Sequence, residues 1–525
     1  MSTSIVSSRR IVQSARLPDW KATACGLLAH LALIIVVLAP SVAAAASLGL
    51  DASWPGQADT EIGMLPAPTQ NALCVSDAYP TLAAGFLAGP APFTGHMLHL
   101  ATTDNYGVWP ESGNLDEANQ IPIQGFFGGI LPGANWSAGY PELLYDATGG
   151  QDGFSRFIMV ASAISTTQPP RSWIMVGASA IGAGNIADCV YAFEVNEGTS
   201  TIYAAEAPHV GLTKDSLVLT ADMFDFANGS IGNFKYAKLW VIPKSRVYNI
   251  PHQTCFPKPV PFEISWSQGL QNPDGSFARS VVPAKSYDTG SHSTYLVSAS
   301  RKGGNSLTLW RVNTKKSLLF PGFAGQSLPT MPYSRPPPAP QARTQSVPSP
   351  PPIATGDARL VNAVYQPNSG LWTVHTTACP WNPGLSCFKW YEINPVSGAV
   401  MQDSVFGYNV DSVFAPAVAV SRNAAVFAFN SSSPNHFVDV DFVGRYAGDP
   451  TNTLGQSFRL KQGIDVYTRG APAAHSGADT DPDDDNRFWV VGAWASGNVG
   501  GQDATCPNRT VNHDWTTEVG NLSFK

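Results

Sequence analysis

A run of short β-rich segments separated by turns sets the fold of this chain: ARLVNAVYQ (358–366), PNSG (367–370), LWTVHT (371–376), FKWYEI (388–393) and AVMQDSVF (399–406). Val, Ile, Thr, Tyr, Phe and Trp are typical of strands, and Pro, Asn, Ser and Gly between two such runs favour a hairpin turn. Four consecutive antiparallel strands form one meander sheet, which is the blade of a β-propeller. The stretch therefore predicts a propeller.

The same order of strand and turn recurs along the chain, in segments 140–176, 209–246, 284–312, 415–446 and 487–519, with a less regular one at 97–132. We therefore predict an all-β fold, a single β-propeller of six or seven four-stranded blades. Residues 47–90 are expected to be irregular. The propeller is expected in two parts, 91–328 and 355–525, and the strand at the chain end would close the ring.

A proline-rich insertion separates the two parts at residues 329–354, which contain SRPPPAP (334–340) and VPSPPP (347–352). Proline removes backbone donors and favours polyproline II, so the segment is not expected to form sheet. A solvated linker is one interpretation. The other is a structural cell-wall glycoprotein, because SPPP resembles the hydroxyproline-rich stretches of plant and algal wall proteins.

Composition favours a turn-rich β protein. Charged residues make up only 13% of the chain, against about a quarter in an average protein, while Gly (47) and Pro (43) are abundant. The net charge is −7 and no basic run is present. These features argue against nucleic acid or an anionic membrane as a partner.

The N-terminus predicts export. Basic residues at positions 9, 10, 16 and 21 precede an apolar run (27–38) and the small-residue site Ala44-Ala45-Ala46, the pattern of a signal peptide spanning residues 1–46. An uncleaved anchor is the alternative, since 22–46 is long enough to span a bilayer. Any membrane association is expected only through this segment, and the mature chain is expected to be secreted or held at the cell surface.

Cysteines and sequons agree with export. Six cysteines remain after the signal, and an oxidising compartment favours disulfides. Cys379 and Cys387 flank a loop that brings them into bonding range, so we predict that they are bridged; the pairing of Cys74, Cys189, Cys255 and Cys506 is open. N-glycosylation is predicted at five asparagines: Asn135, Asn228, Asn430, Asn508 and Asn521.

Several of these segments carry a family resemblance. WYEINP (390–395), FAPAVAVSRN (414–423), GRYAGDP (444–450) and DPDDDNRFW (481–489) resemble an uncharacterised group of secreted, propeller-like proteins, mainly bacterial. The similarity is concentrated in residues 357–525 and is thinner around 209–244. It implies the same fold and location, and no established activity comes with it.

Few motifs point to specific chemistry. Asp479, Asp481, Asp483 and Asp485 alternate in one loop and offer oxygen ligands for calcium, although a solvated turn explains them as well. The glycine-rich stretch at 182–187 is followed by a β pattern rather than a helix, so a hairpin loop is favoured over a dinucleotide site. No other cofactor is expected.

Aromatic and acidic residues leave two hypotheses for the function. Trp136 and Trp381, in loop-like contexts, could stack on sugar rings, while the other tryptophans are expected between blades. We expect a binding protein without catalysis whose partner is a glycan or an extracellular protein. The alternative is a propeller-fold glycoside hydrolase, which needs two carboxylates close together. Clustering at the central channel would favour it, and the available carboxylates are Glu142, Asp146, Asp222, Glu392 and Asp411.

Overall fold

The computed structural model of the protein describes nineteen stretches of the chain: 46–58, 81–87, 95–101, 105–110, 121–127, 129–131, 136–147, 155–165, 171–178, 189–196, 202–227, 230–248, 262–263, 269–288, 290–315, 318–320, 324–468, 475–497 and 514–525. Strands dominate these residues. The two helices found among them are single turns, α1 (Ile123–Phe126) and α2 (Lys244–Val247). No helix in these stretches has the length and apolar character needed to cross a membrane.

The strands form seven sheets, which are the blades of a β-propeller. The first strand of the chain, β1 (Leu48–Ala58), belongs to the last blade. Blade 1 is built from β2 (Thr81–Leu87), β3 (Gly95–Ala101), β4 (Asn105–Pro110) and β5 (Ile121–Pro122). Blade 2 is built from β6 (Trp136–Asp146), β7 (Arg156–Ser165), β8 (Ser172–Ala178) and β9 (Cys189–Glu194). Blade 3 is built from β10 (Ile202–Leu212), β11 (Ser216–Ala227), β12 (Ser230–Pro243) and β13 (Phe262–Glu263).

Blades 4 and 5 share a segment of chain. β14 (Val282–Pro283) opens blade 4, and β15 (Lys285–Ser286) then pairs in parallel with the first strand of blade 5. Blade 4 continues with β16 (Ser293–Ala299), β17 (Gly303–Asn313), β18 (Leu318–Phe320) and β19 (Gln326–Ser334). Blade 5 contains β20 (Asn362–Gln366), β21 (Gly370–Cys379), β22 (Asn382–Asn394) and β23 (Ala399–Phe406).

The first and the last described stretches, 46–58 and 514–525, both contribute to the last blade. Blade 6 contains β24 (Ser412–Val420), β25 (Ala424–Ser433), β26 (His436–Tyr446) and β27 (Phe458–Lys461), and blade 7 contains β28 (Gly477–Thr480), β29 (Arg487–Gly497), β30 (Asp514–Phe524) and β1. β1 pairs antiparallel with β30 from Leu48 opposite Phe524 to Ala58 opposite Thr516. Ser47 and Lys525 add two backbone hydrogen bonds of 3.0 Å. The predicted closure of the ring by the terminal strand is thus confirmed.

The first strands of the seven blades contact one another in a closed circle, in the order β2, β6, β10, β14, β20, β24 and β28. We call these the inner strands. The face of the ring at which they begin is the entry face, and the face at which they end is the exit face. A separate apolar cluster lies between each pair of neighbouring blades. Trp310, Trp390 and Trp489 are fully buried in three of these clusters, and Trp390 is one of the tryptophans predicted to lie between blades.

Two expectations about irregular segments are wrong in part. β1 and β2 lie within 47–90, and β19 covers the first residues of the proline-rich insertion. Pro55 and Pro329 sit in outer strands, where the missing backbone donor costs no ladder bond to a further strand. The rest of the insertion packs on the ring: Gln341 Nε2 donates to the carbonyls of Pro351 and Tyr467, both at 2.7 Å. It is therefore held by the fold rather than solvated.

Ring closure can be tested at Phe524, the last aromatic residue of β30. Its ring lies 5.6 Å from that of Tyr446 and 6.1 Å from that of Phe488. We expect Phe524→Ala to lower the free energy of unfolding by about 3 kcal/mol, measured in urea, since a buried Phe is lost. Val396→Ala, at a residue that is 76% exposed, is the control and should leave it unchanged. Equal effects of both changes would mean that the packing of Phe524 does not contribute to the free energy of unfolding.

Candidate functional site

Three inner strands contain the same irregularity, a bulge at a residue that precedes proline. Tyr140, Ala207 and Ala415 have φ angles of 55°, 49° and 53°, and the pairing with the second strand of the blade shifts at each of them. Left-handed backbone at such residues costs on the order of 1–3 kcal/mol and persists only where the surrounding structure fixes it. A bulge re-aims the side chains beside it. In blades 2 and 3 those side chains are ionisable.

The bulges at Tyr140 and Ala207 face an axial cavity of about 90 Å³ that is lined by residues from all seven blades. In it, His209 Nδ1 lies 2.9 Å from Glu142 Oε2, and the Val210 N–H donates to Glu142 Oε1 at 3.3 Å. His475 lines the same cavity. Burial, together with the neighbouring charges of His209 and Arg359, holds the pKa of His475 well below its ordinary value. It is therefore neutral at pH 7.

Glu206 and Asp222 form a pair of carboxyl groups near the entry face. They are register partners on β10 and β11, which places their Cβ atoms about 4.5–5.5 Å apart. Burial and then the charge of Asp222 raise the pKa of Glu206, against the charges of Arg359 and Arg279 and a hydrogen bond from Tyr140. Two carboxylates this close resist ionising together. The pair therefore keeps a proton at pH values where a free Glu has lost its own.

The proton belongs on Glu206, because Asp222 is committed to N–H donors. The Ser280 N–H donates to Asp222 Oδ1 at 2.7 Å, and Arg279 Nε donates to Oδ2 at 3.2 Å. Burial raises the pKa of Asp222, but these donors and the charge of Arg359 oppose that rise. The hydrogen-bond donors therefore favour the charge on Asp222, and where the pair carries one proton they favour its place on Glu206.

Asp357 binds two further arginines, and the charge of one of them, Arg359, acts on both Glu206 and Asp222. Arg359 Nε and Nη2 donate to the two oxygens of Asp357, both at 2.9 Å, and Arg301 also donates to it. Burial alone would raise the pKa of Asp357, but the hydrogen bonds and charges of the two arginines lower it to about 2. We call Glu206, Asp222, Arg279, Asp357 and Arg359 the entry cluster.

The exit face carries paired charges instead. A cavity of about 290 Å³ lies there, in which Lys244 Nζ is 2.6 Å from Asp146 Oδ2 and Lys285 is paired with Asp479. The Tyr248 hydroxyl donates to Asp146 at 2.6 Å. Asp146 and Asp479 each face a lysine and are neutralised by it; the first pair joins blades 2 and 3, and the second joins β15 to the inner strand of blade 7.

The four aspartates of the predicted calcium loop do not form a ligand set in this structure. Asp479 accepts hydrogen bonds from Tyr287 Oη at 2.8 Å and the Ala84 N–H at 2.9 Å, in addition to its lysine partner. Asp481 accepts from the Asp483 N–H at 3.0 Å, and Asp485 lies 3.6 Å from an arginine. The described residues contain no group of three His, Cys, Asp or Glu that could hold a metal ion. Calcium binding at this loop stays a prediction.

The two tryptophans predicted to stack on a ligand have different environments. Trp136 begins β6 and is buried between blades 1 and 2, so its prediction as an exposed ligand platform is wrong. Local sequence suggested a loop, but the strand begins there. Trp381 is 49% exposed, as predicted. It lies beside the Cys379–Cys387 disulfide, which is confirmed.

One predicted glycosylation site conflicts with the fold. Asn430 is buried in β25, and its Nδ2 donates to the carbonyls of Asp439 at 2.8 Å and Ala493 at 2.6 Å. A glycan would have to replace these bonds, so the prediction at Asn430 is wrong. Asn521 is half-buried on β30. Cys189 is disulfide-bonded. The predictions at Asn135, Asn228, Asn508, Cys74, Cys255, Cys506 and the glycine-rich stretch 182–187 lie outside the described residues.

The carboxylates named for a glycosidase are distributed over the whole ring. Glu142 lies in the inner strand of blade 2 and Asp222 in the second strand of blade 3. Asp146 lies at the exit face, Glu392 is hydrogen-bonded to Gln402 in blade 5, and Asp411 lies 3.2 Å from His436 Nε2 in blade 6. The structure therefore brings only the first two toward a common site.

Sequence reasoning missed six residues of this region: Glu206, His209, Arg279, Asp357, Arg359 and His475. A signal was available for two of them. YPELL (140–144), APHVG (207–211) and APAVA (415–419) are one repeated pattern, a residue before proline followed by alternating apolar positions. Aligning these segments would have marked Glu206 and His209 as bulge-flanking residues of an inner strand.

Comparison with known proteins gives structural likenesses only. No family model matches the chain, and no curated protein matches its sequence. It is similar to the α-L-arabinofuranosidase of Fusarium graminearum, at 11% identity and a TM-score of 0.33 over 88% of this chain and 98% of that one. It is also similar to the phage phi92 endosialidase, at 8% identity and a TM-score of 0.37 over 72% of this chain and 66% of that one. A third similar structure is the sialidase of Trypanosoma rangeli, at 10% identity and a TM-score of 0.33 over 74% of this chain and 55% of that one.

The expectation of a binding protein without catalysis is corrected here. Those solved structures are glycoside-cleaving enzymes, which agrees with the alternative and not with the main hypothesis. Of the five carboxylates named from the sequence, Glu142 lines the axial cavity, while Asp222 pairs with Glu206 in the neighbouring blade. Sequence alone could not place the carboxyl groups of Asp222 and Glu206 together, because they come from different strands.

The interpretation of Asp479 as a structural partner can be tested against the calcium hypothesis. Asp479→Asn leaves Lys285 without its counter-charge, so we expect the free energy of unfolding to fall by about 3 kcal/mol. The control is Asp483→Asn in the same loop, at an exposed residue, which should have no effect. Stabilisation of the wild-type chain by added calcium, abolished in Asp483→Asn, would instead make the loop a calcium site.

Proposed function

We propose that this chain is a propeller-fold glycoside hydrolase that acts at the entry face, outside the cell. The observation that carries the proposal is the Glu206–Asp222 pair, in which burial and a neighbouring carboxylate raise the pKa of Glu206. A carboxyl group with a raised pKa is what a glycosidase uses as general acid. The signal-like N-terminus and the disulfides support an extracellular location.

Glu206 is assigned the role of proton donor. It would protonate the glycosidic oxygen as the bond from that oxygen to the anomeric carbon breaks, and the leaving sugar departs as an alcohol. Asp222 is a positioning residue, because its own oxygens are taken by Ser280 and Arg279 while its charge keeps the proton on Glu206. Tyr140 orients the Glu206 carboxyl through its hydrogen bond.

The second carboxylate is Glu142. It lies two residues beyond Tyr140 on β6, and its partner His209 lies three residues beyond Glu206 on β10. Glu142 contacts His209 and Val210 just after the bulge at Ala207, and Glu206 lies just before it. Glu142 would either take a proton from the water that attacks the anomeric carbon, or attack that carbon itself to form a glycosyl ester that water then hydrolyses. The configuration of the released sugar distinguishes these routes.

The general acid is tested with Glu206→Gln on a panel of aryl glycosides. We expect kcat to fall by about 10²–10⁴-fold, which is the usual contribution of general acid catalysis. The loss should be small for leaving groups of low pKa, which depart without protonation, and large for poor leaving groups. Glu194→Gln removes an equivalent, surface-exposed carboxylate paired with Arg171 and should keep full activity. Wild-type protein that hydrolyses no member of the panel, or equal activity of both variants, would overturn the proposal.

The pH dependence tests the role of Asp222. The protonated form of Glu206 is the active one and its pKa is raised, so kcat/KM should be high below that pKa and fall as the pH rises through it. Asp222→Asn removes one cause of the raised pKa, so the high-pH limb should move to lower pH. Asp225→Asn, on the same strand and paired with Lys235 at the surface, is the control. An unmoved limb in Asp222→Asn would exclude this role.

A further inference from the structure

An open cleft of about 860 Å³ adjoins the entry cluster on the entry face of blade 4. Arg279 and Asp357 belong to both, so the cleft and the cluster are continuous. Four cations and two carboxylates line the cleft: Arg279, Arg301, Lys302, Arg335, Asp274 and Asp357. The sum, 4 − 2, gives a lining charge of +2 in a chain whose net charge is −7. We call this the basic cleft.

Most of these charges are already committed within the protein. Asp357 is bound by two arginines, as described above, and Asp274 accepts from the N–H of Ser276 at 2.9 Å and from its hydroxyl at 2.6 Å. Lys302 and Arg335 are different. Both are exposed on the cleft, and none of the ion pairs formed within the described residues uses either of them. They present positive charge to whatever enters.

The cleft also offers an apolar surface beside its cations. Phe277 is 40% exposed and lines the cleft together with Phe234. The Arg279 guanidinium carbon lies 4.7 Å from the centroid of Phe234, which fixes that ring in place. An exposed aromatic face can pack on the C–H face of a sugar ring. Polar groups complete the lining: Asn272, Ser298, Ser300, Ser306, Thr308 and Ser327.

From this arrangement we infer that the substrate is an acidic glycan. Lys302 and Arg335 bind a carboxylate or sulfate group of one sugar, and the ring of that sugar packs on Phe277. Charge-assisted hydrogen bonds from lysine and arginine suit both anions, and arginine adds a planar, bidentate fork. The assignment of this glycan as a substrate rests on the proposed hydrolase function, whereas its binding does not.

The test measures binding by titration calorimetry with the full chain and four probes: glucuronic acid, N-acetylneuraminic acid, glucose 6-sulfate and neutral glucose. At least one anionic sugar should bind more tightly than glucose, and its affinity should fall as salt is raised. The double variant Lys302→Gln/Arg335→Gln should weaken that binding by about tenfold or more, as expected when a charged partner is lost. The control Lys214→Gln/Lys315→Gln removes two exposed lysines that do not line the cleft, and should change nothing.

Phe277→Ala separates a sugar site from a simple anion site. It should weaken binding of the anionic sugar while leaving the much weaker binding of inorganic sulfate unchanged. The carboxylated and sulfated probes distinguish the two anions. Binding of glucose as tight as that of every acidic probe, or binding unchanged in Lys302→Gln/Arg335→Gln, would overturn the inference.

Failure of this inference is distinguishable from failure of the proposed function. Hydrolysis of neutral glycosides that depends on Glu206, with no preference for acidic probes, would support the hydrolase function and contradict the acidic substrate. Cleft-dependent binding of an acidic sugar with no hydrolysis would support the acidic-glycan site and remove the catalytic role of Glu206.

Discussion

The antiparallel pairing of β1 with β30 is the interaction on which the rest of this structure depends. It joins the first to the last of the described strands and so closes the seven sheets that they form into a ring. Closure buries an apolar cluster at each of the seven blade interfaces. It also forces seven inner strands around one axis. The channel residues come from segments up to several hundred positions apart, so the site exists only when the ring is closed.

The two faces of the ring handle buried charge differently. At the exit face, Asp146 and Asp479 each face a lysine, which is how a buried carboxylate is usually stabilised. At the entry face, Glu206 faces another carboxylate across the strand pair, and its pKa is raised rather than lowered. Such an arrangement contributes little to stability. Perturbed carboxyl groups are characteristic of functional sites, and this contrast supports placing the proposed hydrolase site at the entry face.

The bulges before proline connect the fold to the site. A regular inner strand would alternate its side chains between the two neighbouring blades. At Tyr140 and Ala207 the strand instead takes a left-handed residue and shifts its pairing. Glu142 and His209, which follow these bulges, meet in the channel as a result. The same bulge at Ala415 has no ionisable side chain beside it. The bulge is therefore a feature of the fold, and the ionisable side chains beside it in blades 2 and 3 form the candidate site.

Much of the architecture followed from sequence alone, because strand runs, turn residues and the short loop between Cys379 and Cys387 are local features. The propeller, the disulfide and the burial of most tryptophans were predicted on that basis. Local patterns failed where the outcome depends on distant packing. Trp136 looked like a loop residue but begins a buried strand, and Asn430 looked like an accessible sequon but its amide is held between two blades.

The site itself was decided only by the tertiary structure. Asp222 and Glu142 were visible as carboxylates, yet nothing in the sequence pairs Asp222 with Glu206 or sets Arg359 beside them. Strand register brings the first two together, and ring closure brings Arg359 and His475 from other blades. Sequence determined that this chain forms repeated four-stranded blades, since hydrophobic period and turn chemistry are properties of neighbouring residues. Which of its many charged groups share one buried environment depends on contacts across the ring, and only the folded chain contains those.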